Sequence, residues 1–261
     1  MANDKADIAD GQRRLAGRVA VVTGAGAGIG QGCALMFAAQ GATVVAVDRD
    51  LAALDETAAL ATGTLLARQC DLLDEAATCA LMEDIGRDHG KVDILVPAAA
   101  VSLFHWIEDM RYDHWQRTIQ GELDIVFLIT RAAWPWLKQS GSASIINFAS
   151  ANAHMTLEGS AALAHCAGKG GILAMTRQLA MEGAAHGIRA NTISPGMILT
   201  QQTRKHMAAA PDIREAAMRR AMLKCLGEPQ DIAWCATWLG SPESRFVTGA
   251  DICIDGGATA W

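Results

Sequence analysis

One tyrosine, Tyr112, is the entire phenol complement of this 261-residue chain. A phenolic acid–base group can therefore stand at that position and nowhere else. Lysine and arginine number 22 against 28 acidic residues, a formal net charge of -6. No basic stripe appears along the sequence, which argues against nucleic acid as a partner. No apolar run reaches the ~18 residues of a membrane span. The seven cysteines are odd in number and form no CxxC pair. That pattern fits reduced thiols in a cytoplasm rather than a disulfide framework. There is no internal repeat, no low-complexity tract and no linker rich in Pro, Ser or Gly. The opening MANDKADIADGQRR is polar and has no apolar stretch, unlike a signal peptide. Residues 1–14 are expected to form a flexible arm, and 15–261 a single domain.

Hydrophobic residues make up 51% of the chain, enough for a sizeable core. Short β-branched runs recur at 18–24, 42–48, 64–71, 92–98, 143–150, 188–195 and 249–255. Segments with helical spacing lie between them, at 29–40, 74–88, 111–138 and 160–185. Alternation of this kind implies a parallel sheet covered by helices on both faces, an α/β doubly wound fold. Segment 196–226 breaks the alternation and is expected to lie over the site as a helical lid, about 197–226.

After the first strand comes TGAGAGIG. A strand feeding a glycine-rich turn and then a helix suits a dinucleotide, whose pyrophosphate sits on the helix N-terminus. The spacing places Gly24, Gly28 and Gly30, with Ile29 between the last two. Asp48 closes the second strand, eighteen residues after Gly30. A carboxylate there accepts bonds from ribose hydroxyls and repels a 2′-phosphate, which favours NAD over NADP. Arg49 beside it is the one feature pointing the other way.

These residues carry a resemblance. The TGxxxGxG turn, Asp71 closing QCD, SPG at 194–196 and the ending GEPQDIAWCATWLGSPESRFVTGADICIDGG resemble the short-chain dehydrogenase/reductase family, from about residue 15 to 257. The resemblance implies a seven-stranded Rossmann-like sheet and a nicotinamide cofactor. It also implies that Asp71 and Leu72 hold the adenine. Ala99 and Lys169 would border the cofactor. Pro195, Gly196, Ile198 and Thr200 would hold the nicotinamide end.

In that family the reaction uses an Asn, a Ser, a Tyr and a Lys, the last two as YxxxK on one helix. Here the matching stretch reads HCAGK, so Lys169 is kept and His165 stands at the tyrosine position. Matching WQRTIQGELDIVFL on Trp115, Ile119, Leu123 and Phe127 puts Glu122 at the asparagine position. SIINFAS ends at Ser150, the best match to the family serine, although counting back from the histidine gives Asn152. An imidazole has an ordinary pKa of ~6.5 and can serve as a proton acceptor without help. The lysine one turn away disfavours a second positive charge, and Glu122 is expected to offset this by pairing with Lys169. His165, Lys169, Ser150 and Glu122 are thus the catalytic candidates.

Substrate-pocket candidates are His105, Asn152, His154, Glu158, Met197 and His206, with Trp106 beside His105. Their spacing matches no metal-ligand signature, and no metal is expected. The function expected is NAD(H)-dependent oxidation or reduction of a hydroxy/keto small molecule. A non-redox lyase, isomerase or dehalogenase on the same scaffold is one alternative; a catalytically inactive NAD-binding protein is another. The large apolar residues Trp115, Phe127, Trp134 and Trp136 on the 111–138 helix suggest a symmetric homo-oligomer, a tetramer foremost. The terminal GGATAW is expected to help the second contact.

Overall fold

A computed structural model describes residues 13–209 and 211–261. The arm expected over 1–14 lies almost wholly outside them. The strands are β1 (Val19–Thr23), β2 (Thr43–Asp48), β3 (Leu65–Gln69), β4 (Ile94–Pro97), β5 (Ser144–Phe148), β6 (Arg189–Pro195) and β7 (Asp251–Ile254). They pair in parallel in the order β3-β2-β1-β4-β5-β6-β7. The seven-stranded Rossmann-like sheet read from the sequence is therefore present.

The inner strands β1 and β4 are buried along their whole length because helices cover both faces, whereas the edge strands β3 and β7 are only partly covered. Alternation along the strands sorts the side chains into two cores. Ala20, Val22, Val44, Ala46, Ile94 and Val96 face one core. Helices α1 (Gly28–Ala39) and α9 (Pro229–Gly240) close it with Phe37, Ile232 and Leu239. Val21, Val45, Val47, Leu95 and Ile145 face the other. That side is covered by α3 (Glu75–His89), α5 (Ile125–Ser140) and α6 (Leu163–Ala184), through Met82, Ile129 and Ile172. Helix α2 (Leu51–Leu60) follows β2, and Asp50 caps it by accepting from Ala53 N.

The long helix expected over 111–138 is three pieces. Helix α4 (Tyr112–Ile119) leads into a π-helical turn at Gln120–Asp124, and α5 follows. A π turn admits one extra residue per turn and commonly marks a functional position. Here it carries Glu122. The expected lid contains α7 (Gln201–Ala209) and α8 (Pro211–Arg220). No helix among the described residues is long and apolar enough to cross a membrane.

β1 is flanked by β2 on one side and β4 on the other, so the strand order reverses there. A crevice opens beyond the strand carboxyl ends at such a switch point, the usual ligand position in open α/β sheets.

Candidate active site

A cavity of about 1050 Å³ occupies that crevice. Gly28, Ile29 and Gly30 line one end, Pro195, Gly196, Met197, Ile198 and Thr200 the middle, and Ser150, Asn152, His165 and Lys169 the far wall. Glu122 reaches it from the π turn.

The first end is built to receive something. Helix α2 has a side-chain cap, as does α3 through Asp74, but α1 has none: Ala27 precedes it and offers no acceptor. The first N–H groups of α1 thus point into the crevice with no side-chain partner, which suits an anion. Gly24 lies at φ +63°, and a Cβ there would stand 2.7 Å from Ala99 N. Gly28 lies at φ +60° and faces Thr200, 3.2 Å from where its Cβ would be. Only glycine allows both the turn and the approach. These residues fit a dinucleotide.

Asp48 ends β2 beside this turn. Its Oδ2 accepts from Gly26 N at 3.0 Å and its Oδ1 from Asp50 N at 3.1 Å. The carboxylate is therefore tied to the glycine turn and half-buried. Asp71 is exposed and accepts from Leu73 N at 3.1 Å, while Leu72 is buried. Ala99 N donates to Thr23 Oγ1 at 3.1 Å, and its neighbours Ala98 and Ala100 line the cavity. Thr200 caps the start of α7 together with Thr203, whose hydroxyl donates to Ile198 O at 2.5 Å.

The far wall holds a buried carboxylate and an imidazole in contact. His165 Nδ1 lies 2.5 Å from Glu122 Oε1. Glu122 is fully buried, and the His165 side chain is 16% exposed. Ser102 Oγ donates to the same Oε1. A carboxylate so placed accepts Nδ1–H, which fixes the tautomer and leaves Nε2 as the ring nitrogen available to the cavity. Phe104 tilts against the imidazole with ring centres 5.6 Å apart.

The pairing expected between Glu122 and Lys169 does not form. Lys169 is buried and its Nζ donates to Phe148 O at 3.1 Å. Histidine one turn earlier on α6 takes the carboxylate instead, through Nδ1. Burial pushes the Lys169 ammonium below the usual lysine range, and the nearby Glu122 charge works in the opposite sense. Ser150 and Asn152 both line the cavity, and Ser150 Oγ accepts from Asn152 N at 3.1 Å.

Of the pocket candidates, Met197 and Asn152 line the cavity. His105 stacks on His114 at 4.2 Å, off its wall. Glu158 is exposed and reaches Arg219 at 4.0 Å. His206 falls on α7, and its side chain lies outside the described set. His154 turns to the last strand, its Nε2 2.8 Å from Asp251 Oδ2. Cys253 completes a group of three metal-ligand types there. The buried Ser194 hydroxyl on β6 donates to Asp251 on β7 at 2.8 Å, so Asp251 ties β6 to β7 and also holds His154 from the turn after β5. Sequence reading missed Ser102 and Phe104, which follow β4 in a loop without a pattern, and Gly168, one residue before the lysine.

Residues 24–259 match the family profile described as Enoyl-(Acyl carrier protein) reductase. The chain is 35% identical over 250 residues to galactitol 2-dehydrogenase (L-tagatose-forming) of Cereibacter sphaeroides, covering 95% of this chain and 97% of that protein. It is 34% identical over 242 residues to the NAD-dependent glycerol dehydrogenase of Listeria innocua, covering 93% and 94%. The solved structure of a short-chain type dehydrogenase/reductase from Mycobacterium marinum superposes with a TM-score of 0.88 at 30% identity, covering 95% and 98%.

Proposed function

From the premise that this chain belongs to the short-chain dehydrogenase/reductase family and is an oxidoreductase of hydroxy or keto compounds, we propose that it uses NAD(H) and that His165 is its proton acceptor and donor. The observation that carries the reading is the buried Glu122–His165 contact of 2.5 Å beside the cavity.

Oxidising an alcohol carbon requires removal of a hydride and of the hydroxyl proton. The nicotinamide cofactor, when bound, supplies the hydride chemistry. His165 Nε2 takes the hydroxyl proton, and Glu122 stabilises the imidazolium that results. Ser150 holds the substrate oxygen. Lys169, fixed to Phe148 O at the foot of the wall, borders the cofactor ribose. The uncapped start of α1 receives the pyrophosphate and Asp48 the adenosine ribose. The carboxylate at Asp48 supports NAD over NADP, and the Listeria innocua relative is an NAD-dependent glycerol dehydrogenase.

His165→Ala, assayed by NADH formation on a panel of polyols and secondary alcohols, is expected to lose about 10²–10⁴-fold in kcat with NAD binding intact. Unchanged turnover in His165→Ala would overturn the assignment. Turnover of a substrate with no net NADH change would point to the non-redox alternative.

A further inference from the structure

The Glu122 carboxylate reaches His165 only because two neighbours make room for it and hold it. On α6, residues 165 and 168 lie three apart and share one face. Residue 168 is glycine, buried against Glu122. A Cβ there would overlap Glu122 Oε2 and stand 3.1 Å from Glu122 Cβ. The carboxylate therefore sits in the notch left by the missing side chain. From this notch Oε1 meets His165 Nδ1.

Ser102 secures the other side. Its hydroxyl donates to the oxygen that holds the imidazole. Among the described residues, Glu122 Oε2 is buried and has no hydrogen-bonding partner. All the hydrogen bonding of this buried carboxylate is thus carried by one oxygen, through one serine and one histidine. A buried carboxylate depends strongly on each bond it has. Gly121, next to Glu122, lets the two elements meet. Its carbonyl accepts from Val101 N at 3.1 Å, and a Cβ on it would stand 2.8 Å from Val101 Cβ. The loop carrying Ser102 can approach the π turn only over a glycine.

We propose that Gly168 and Ser102 are positioning residues of the proton-transfer group, which set Glu122 so that His165 is held as the Nδ1–H tautomer with Nε2 facing substrate. Glutamate at 122, histidine at 165, glycine at 168 and serine at 102 then form one unit, in which each residue makes sense only with the others. The proposal rests on the reading of His165 as proton acceptor, but its principal test does not.

The test reads the ring nitrogens of His165 by 15N NMR in the full-length protein. In the unmutated protein the neutral ring is expected as Nδ1–H. Gly168→Ala should displace the carboxylate, mix the tautomers, and lower kcat by about 10- to 100-fold, the scale seen when the outer partner of a working histidine is lost. NAD affinity by calorimetry should not change. Adding Glu122→Asp, one carbon shorter, should restore both the tautomer and part of the rate. Ser102→Ala should mix the tautomers without introducing bulk, so it carries the test if Gly168→Ala fails to fold. An unaltered tautomer in both folded single variants would overturn the proposal. So would a Gly168→Ala defect that Glu122→Asp leaves untouched. A tautomer that shifts as expected while His165→Ala keeps full activity would leave the positioning intact and refute the catalytic role.

Discussion

At the scale of single residues, the HCAGK and GELD stretches were legible and the partners of their side chains were not. HCAGK and GELD are visible in the sequence, and so is the absence of a tyrosine near Lys169. Two residues were read as departures, His165 and Glu122, and the structure brings them to 2.5 Å. What the sequence could not show is which side chain the carboxylate takes. The choice depends on a few ångströms of helix geometry, and the histidine, not the lysine, lies within reach. Ser102 was invisible for a related reason: a serine in a loop carries no periodicity. Asp48 was legible because a strand end following a glycine turn has a fixed place in a βαβ unit. Its charge supports a prediction. Asp48→Asn keeps an acceptor for Gly26 N–H but removes the charge. NAD binding should weaken and the gap to NADP should narrow, as measured by calorimetry with each cofactor. Equal or tighter NADP binding by the unmutated protein would refute the preference for NAD.

At the scale of elements, strands were easy to read and helix breaks were not. Most strands are short β-branched runs, and the expected spans are trimmed by only a few residues at their ends. The 111–138 segment kept helical periodicity through its middle, so the π turn left no trace in the pattern. The same segment was expected to present Trp136 to a partner. Instead Trp136 packs on α3, where a Cβ on Gly86 would overlap the indole ring. Helices α3 and α5 are therefore close over a glycine. Gly86→Ala should destabilise the fold by about 1–3 kcal/mol, the cost of overpacking a well-filled contact. Helix propensity alone would stabilise it by about 1 kcal/mol, so the sign separates the two effects. Denaturant midpoints for the two proteins supply the check, and a higher midpoint for the variant would contradict this packing.

At the scale of the whole molecule, strand–helix alternation made the doubly wound parallel sheet legible, and the count of seven strands came with the family resemblance. GGATAW was expected to help a contact between subunits, and within the chain it is tied to α8. Trp261 Nε1 donates to Arg220 O at 2.9 Å, and the Arg220 guanidinium lies 5.0 Å from the Trp261 ring centre. The tail thereby fastens the end of α8, on which Arg220 also lines the cavity. Phe127 on α5 is 49% exposed and Trp234 on α9 39%, apolar surface on two sides of the molecule. A symmetric tetramer covering both is the expected assembly. Light scattering at micromolar concentration should give four times the 27.5 kDa chain mass, and a monomer would remove the claim.

The proposed chemistry turns on one proton and the nitrogen that takes it. The most direct measurement is chemical rescue of His165→Ala by added imidazole, followed as NADH formation from an alcohol that the unmutated protein oxidises. If His165 is the proton acceptor, the variant binds NAD normally, turns over about 10²–10⁴-fold more slowly, and recovers rate in proportion to neutral imidazole. A variant that keeps the unmutated rate, or one that is slow but gains nothing from imidazole at any concentration or pH, would contradict it.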